Sequence, residues 1–561
     1  MSGGAEERAL VPRQPAMSSE ITIFSAKKII TMCRSRPEAD HVAVRDGRIL
    51  GAGSLSELAG WGDYTLDRRF ADSVVMPGFV EGHSHILEGA LWRYVYVGFF
   101  DRTAPDGKVW PGLRSIDEVV ARLRDQASGP ELAGKPVVGW GFDPIYFSSR
   151  RMIAADLDRV TDDRPTIVMH ASGHMLNANS FILEAAGITA DTNVHGIVKD
   201  ENGLPTGELQ ELAAMFIGFE VAGINPFEEM GSAQSIRDFA AVAQHAGVTT
   251  ATDLYAVLYP ENVEQLLAVT GEDTCPIRLV PAYGALSGPT DEGVELMGNL
   301  TARSTDKLRF GLVKMMTDGS IQGFTARLKW PGYFNGAPNG IWNASPEELK
   351  AQFAAYHRAG FQIHIHTNGD EAIEVMLDAI EAALDAHPRR DHRHTLQHCQ
   401  MASEAQLERA AALGVCVNMF ANHIYYWGDE HLSTTLGPER AHRLEPFATA
   451  ERLGVRYAMH SDAPVTPIGP LFTAWCAAER KTATGRVLGQ EERLSVDRAL
   501  RAITLGAAYT LKMDHLVGSI ESGKFADFAV LEEDPLSVPP SALRDIPIRA
   551  TMLGGREFPA Q

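Results

Sequence analysis

The chain has 561 residues, 45% hydrophobic and 22% charged, which suits a globular protein with more than one compact core. Its formal net charge of −21 argues against nucleic acid or an anionic membrane as the main partner. No apolar run reaches the ~18 residues of a membrane span, and the five cysteines are scattered without a Cys-x-x-Cys pair, so a reduced, cytoplasmic setting is expected.

Residues 1–18 lack the apolar core of a secretory signal and read as a disordered leader. Residues 19–72 hold strand-like runs, with an Asp46-Gly47 hairpin turn between Val42-Ala-Val and Arg48-Ile-Leu. Residues 514–561 again carry short strands and turns. Neither end has enough apolar surface for a core alone, so together they are expected to form one small β domain.

Between the ends, over residues 73–513, short apolar strands alternate with helical stretches, the pattern of βα units around a parallel sheet. The strand candidates are Val74-Val-Met, Gly247–Asp253, Ile277–Pro281, Leu308–Lys314, Phe361–His366, Thr395–His398, Val415–Met419 and Val455–His460. Eight such units predict a (β/α)₈ barrel of the TIM type. Ser345, before Pro-Glu-Glu, reads as the N-cap of one of its helices. About 165 residues separate the first two strands, so an insertion over about 90–240 follows the first. Active sites of these barrels lie at the C-terminal strand ends; the insertion should cover the site and shape its pocket.

Metal-capable residues fall at those strand ends. His83 and His85, in Pro77-Gly-Phe-Val-Glu-Gly-His-Ser-His, are two apart, so in extended backbone they point to the same side. Neutral imidazole is a common ligand of zinc and similar metals. Lys314 ends the fourth strand, His366 the fifth and His398 the sixth, and Asp462 follows the eighth.

The motifs PGFVEGHSH, VKMMTDGS, HTNGD, LQHCQ, HSDAPV and GSIESGKFADFAVLEEDPL, in this order, resemble the amidohydrolase superfamily, most closely its amidohydrolase-3 or YtcJ-like branch. The resemblance runs from about residue 20 to the C-terminus. It implies a barrel with a discontinuous β-sandwich, a metal site of four histidines and an aspartate, and hydrolysis at carbon–nitrogen bonds. In binuclear members a lysine carboxylated by carbon dioxide bridges the two metals, and Lys314 stands at that position. An ammonium beside metal cations would be repelled, so Lys314 must lose its charge there, and its neutral amine could then add carbon dioxide. The alternative is a salt bridge to Asp318. Six ligand candidates exceed what one tetrahedral ion can use, so two Zn²⁺ per chain are expected.

Asp462 can ligate a metal and also move a proton. A bound dication lowers the pKa of water from 15.7 to roughly 7. Hydroxide would attack a polarised carbonyl, and Asp462 would pass the proton to the leaving nitrogen. His174, in a Gly-His that the family shares, and His423, just past the seventh strand, are candidates for contacting substrate or a developing oxyanion. Glu211 is a family-like position with no assignable chemistry.

A second enzyme reading is a one-metal deaminase acting on a ring or amidine carbon, which would need an acid near Asn368-Gly-Asp370 and no lysine ligand. A barrel scaffold without catalysis would predict missing ligands, yet the full set is present. Trp92, Tyr94, Tyr96, Tyr425, Tyr426 and Trp427 follow strand ends, and predict either a small-molecule substrate with an apolar or aromatic portion or packing of the insertion on the barrel. The resemblance also allows a homodimer.

Overall fold

The structure, a computed structural model, describes residues 20–147, 150–256 and 258–560. The expected leader at 1–18 lies outside the described residues. Eight parallel strands form the central sheet: Phe79–Glu81, Val248–Ala256, Arg278–Gly284, Leu312–Met316, Gln362–Thr367, Thr395–His398, Cys416–Met419 and Tyr457–Met459. From the third strand on, each pairs with the next without a register shift, while the second strand is irregular against both its neighbours; almost every residue in the eight is buried, as expected for strands covered on both faces. The ring closes through the segments beyond strands 1 and 8. His85 N–H donates to Ala463 O at 2.8 Å and Asp462 N–H to His83 O at 3.1 Å. Closure thus ties together the backbones of three ligand candidates.

The helices pack outside this ring. Pro346–Arg358 begins as expected, with Ser345 accepting from Glu348 N–H in a reciprocal capping box.

One strand assignment needs correcting. Val74-Val-Met, expected to open the barrel, is the end of a long strand, Tyr64–Pro77, in a different sheet. The first barrel strand is Phe79–Glu81, after the Pro77-Gly78 break. Apolar runs on the two sides of that break look alike because both are fully buried. Gly78 marks the switch: a Cβ there would lie 2.0 Å from Thr249 Oγ1 on the neighbouring barrel strand.

The second sheet has seven strands and draws on both chain ends. Its order is Arg556–Pro559, Ile548–Leu553, Phe528–Leu531, Tyr64–Pro77, Ile21–Ile30, Glu38–Arg45, Arg48–Gly53. The Asp46-Gly47 turn has φ of 52° and 72°, as a tight hairpin with primed geometry requires. Arg278 on the third barrel strand pairs with Asp527 at 2.7 Å, both buried, and fastens this sheet to the barrel base.

The chain between barrel strands 1 and 2 is more than a covering loop. Val95–Tyr96, Val137–Phe142, Thr166–His170, Met175–Ala178, Ile197–Lys199 and Pro205–Gln210 build a six-stranded sheet. It has its own apolar clusters, one around Trp140, Leu176 and Phe219 and another around Leu123, Phe142 and Val168.

Candidate metal centre

Glu81, His83 and His85 alternate along an extended segment, so all three face the barrel axis. Glu81, which the sequence reading passed over, is the fastener: its Oε1 accepts from His83 N–H and Ser461 N–H at 3.2 Å each, and its Oε2 from Ser461 Oγ at 2.8 Å. Burial pushes its carboxyl up to about 8. It holds the first ligand segment against the one carrying Asp462.

A hydrogen-bond chain through the barrel interior fixes the tautomer of His83. Thr510 O can only accept, so His364 Nε2, 2.9 Å away, carries a hydrogen. His364 Nδ1 therefore accepts from Gln397 Nε2 at 2.7 Å. Gln397 Oε1 accepts from His83 Nδ1 at 2.8 Å and from Asn418 Nδ2 at 2.9 Å. The His83 hydrogen is on Nδ1, and Nε2 presents a bare lone pair.

That lone pair faces Asp462 Oδ1 at 3.2 Å, and Asp462 Oδ1 lies 3.4 Å from His85 Nε2. Burial, then the charges of Lys314 and the neighbouring histidines, hold His83 well below the ordinary imidazole range, so it stays neutral. Burial alone would push the Asp462 carboxyl up. The His85 hydrogen bond and the His85, His460 and Lys314 charges outweigh it and hold the group ionised. A buried lone pair against a carboxylate oxygen is unfavourable without a cation between them. The donor set of His83, His85 and Asp462, all within 4.8 Å of one another, fits a divalent metal.

Lys314 lies in the same place. Its Nζ is 3.4 Å from His83 Nε2, and among the described residues it makes no ion pair. Burial pushes the ammonium down to about 7 against the pull of Asp462. The alternative partner Asp318 is occupied by the backbone N–H groups of Arg327, Asn368 and Gly369. Asp370 also turns away, its Oδ1 accepting from Lys329 N–H at 2.8 Å at the start of a helix. Asp370 therefore does not face the cluster, whereas Asp318 Oδ1 lies 3.7 Å from His366 Nε2.

His366 and His398 extend the cluster on the other side. His366 Nδ1 lies 3.2 Å from His398 Nε2, and the His83 and His398 rings are 4.7 Å apart. His398 Nδ1 is buried with no partner among the described residues. His460, which the sequence reading did not single out, joins them: its nitrogens are also buried and have no partner among the described residues, and it forms a second close group with His83 and His398. Its ring is stacked between His83 at 4.6 Å and Phe420 at 4.8 Å. Its spacing of two before Asp462 was the available signal. Asp253, within barrel strand 2, is 3.9 Å from His85 Nδ1, and burial pushes its carboxyl up to about 6. His398 and Asp462 have φ of 65° and 54°, in the left-handed region where non-glycine residues are strained.

His174 and His423 stand apart from this cluster. His174 lies in the insertion, Nδ1 3.3 Å from Glu211 Oε2, and Glu211 itself has a φ of 62°. Both line a cavity of about 180 Å³ between the insertion and the loop after barrel strand 4. That wall starts at Ser320, one residue past Gly319, whose carbonyl is 3.3 Å from His366 Nε2. His423 does not reach the cavity; Gln322 Oε1 and His431 Nε2 take its two nitrogens at 3.0 and 2.8 Å.

None of the six aromatic residues lines this cavity. Tyr425, Tyr426 and Trp427 pack against Phe100 and Tyr146 of the insertion, and Trp427 Nε1 donates to Asp143 Oδ2 at 3.1 Å. Trp92 and Tyr96 pack on Trp140, and Tyr94 Oη donates to Glu229 at 3.0 Å. Their arrangement fits the packing alternative, because the insertion folds down onto the helix after strand 7.

The sequence matches the Amidohydrolase family over residues 71–558. It is 28% identical to the putative amidohydrolase YtcJ of Bacillus subtilis, covering 94% of this chain and 97% of that one. It is 26% identical to the N-substituted formamide deformylase of Arthrobacter pascens, covering 92% and 94%. Among solved structures, an uncharacterized metal-dependent hydrolase from Pyrococcus horikoshii superposes with a TM-score of 0.69 at 21% identity, covering 93% of this chain and 99% of that one, and shares its fold.

Proposed function

The chain belongs to the Amidohydrolase family, and on that premise we propose that it is a metal-dependent hydrolase of an amide or related carbon–nitrogen bond. The observation that carries this reading is the His83 Nε2 lone pair held 3.2 Å from Asp462 Oδ1 in a buried cluster of imidazoles. His83, His85 and Asp462 would hold one divalent ion, with Lys314, His366 and His398 completing a site for a second; zinc suits these donors. Lys314 would serve as its carbamate, formed by adding carbon dioxide to the buried amine.

When bound, the metal supplies a Lewis acid for the substrate carbonyl and lowers the pKa of water towards neutrality. Asp462 receives the proton released by the attacking water and returns it to the leaving nitrogen, as base and then acid. Its backbone bond to His83 O fixes where that carboxylate points. The substrate is a small molecule entering beside His174 and Glu211. An N-substituted amide, formamides included, is the first class to try, since one relative is an N-substituted formamide deformylase.

The test is a panel of N-substituted formamides, acetamides, carbamates and amidines, scored for amine, acid and ammonia. Acid and amine in equal amounts support the reading. Ammonia from an amidine or ring, with no amide cleaved, contradicts it and favours a deaminase.

A further inference from the structure

Two buried histidines outside the metal cluster have no part in the chemistry above. His423 and His431 stack at 4.7 Å with their planes 7° apart, joined by the 2.8 Å bond between His423 Nδ1 and His431 Nε2. The chain runs on at both ends. His431 Nδ1 is 2.6 Å from Thr435 Oγ1, and His423 Nε2 is 3.0 Å from Gln322 Oε1. Gln322 lines the cavity that also holds His174 and Glu211. From Thr435 to the cavity there is thus one continuous line of hydrogen bonds.

Its direction follows from the buried end. Thr435 is fully buried, and its hydroxyl makes no other hydrogen bond among the described residues. If His431 donated to Thr435, the hydroxyl hydrogen would be stranded in the core, a costly arrangement. If Thr435 donates to His431 Nδ1, every hydrogen finds an acceptor: His431 Nε2–H donates to His423, and His423 Nε2–H to Gln322 Oε1. The Gln322 carbonyl is then turned towards His423. Its amide nitrogen has no partner among the described residues, and with Gln322 in the cavity wall it is free to donate to a molecule bound there.

We propose that Gln322 is a specificity-determining donor, polarised by the Thr435–His431–His423 chain, which selects amides bearing a second carbonyl group. This inference rests on the amide-hydrolase reading for the bond cleaved, but not for the group recognised. The second carbonyl accepts from Gln322 Nε2, while Glu211 and Asp143 in the same cavity can accept N–H groups from the same substrate. A donor held this way discriminates strongly, because an analogue without the acceptor leaves it unpaired. His423 and His431 are positioning residues that act through Gln322.

The experiment compares N-acetylglycinamide with N-ethylacetamide, which lacks the second carbonyl, on the full-length protein as isolated. Apparent affinity is read as Kd by calorimetry, or as KM where the amide is turned over. Wild type should favour N-acetylglycinamide by about tenfold or more. Gln322→Leu should erase that preference, bringing N-acetylglycinamide and N-ethylacetamide to within about twofold of each other. Gln322→Glu should shift the preference to N-(2-aminoethyl)acetamide, whose ammonium suits a carboxylate, a reversal that a merely structural role would not produce. Thr435→Val, which removes the hydroxyl that sets the direction, should weaken the preference without touching the cavity wall. Retention of the preference in Gln322→Leu, or its absence in wild type, overturns the proposal. If the pattern holds but no amide is cleaved, Gln322 stands and the hydrolase reading falls. Cleavage with unchanged preference in Gln322→Leu does the reverse.

Discussion

Gln397 Oε1 accepts the hydrogen of His83 Nδ1 at 2.8 Å, and so decides which nitrogen of His83 faces Asp462. The bond is the last of a series that begins at a backbone carbonyl, Thr510 O, which cannot reverse its role. A ligand oriented in this way keeps its lone pair on the metal side even when no metal is bound. Outer partners of ligating histidines commonly contribute 10–100-fold to metal affinity. Gln397→Leu should therefore lower metal affinity by about that factor while His83, His85 and Asp462 are unchanged. Competition against a graded series of chelators measures it, and wild-type affinity in the variant would mean that the chain does not govern His83.

Lys314→Ala should lose nearly all hydrolytic activity. A short carboxylic acid at high concentration should restore part of it by standing in for the carbamate. Mass spectrometry under gentle conditions should find the added mass of carbon dioxide on wild type and not on the variant. Full activity in Lys314→Ala would remove it from the ligand set.

The buried histidines set an acid limit on the metal-stripped fold. Burial pushes His364, His366, His431 and His460 down to about 3. His83, His394, His398 and His423 also lie well below 6.5. Each binds a proton when unfolded but not when folded, so its contribution is complete above about 6.5 and is lost as pH falls towards 3. Glu81 and Glu445, pushed up by burial to about 8, and Asp143, Asp253 and Asp318, at about 6, work in the opposite sense. The histidines outnumber them. The denaturant midpoint of metal-free protein should fall between about pH 6.5 and pH 5, and a midpoint that rises over that range would contradict this balance.

Tyr426 is 9% exposed, with its ring 4.7 Å from that of Phe100 across the seam between insertion and barrel. Truncating a buried aromatic costs about 3–5 kcal/mol. Tyr426→Ala should therefore lower stability by about 3 kcal/mol and affect small and bulky substrates alike, whereas Tyr426→Phe should be near neutral. A KM effect confined to bulky substrates, with unchanged stability, would return the ring to the pocket.

Much of the site was legible because strand ends impose a simple geometry. His83 with His85, His366, His398 and Asp462 sit where a period of two and a βα repeat place them, and the structure gathers them with Lys314. Other features depend on tertiary contacts that no local pattern encodes. Val74-Val-Met and Phe79-Val are both short buried runs, and only sheet membership tells them apart. Gln397 and His364 act through partners more than 30 residues away, in the barrel interior. The aromatic residues after strand ends suggested a pocket because that side of a barrel usually opens to substrate. Here the insertion, with a sheet of its own, lies over them.

The central claim is tested most directly by the metal content of the full-length protein beside that of His83→Ala. After growth with added zinc and removal of loosely bound ions, wild type should retain about two divalent ions per chain, and His83→Ala should lose at least one while staying folded. Wild type that retains none and takes up none on titration, or a His83→Ala variant with undiminished content, would contradict the account.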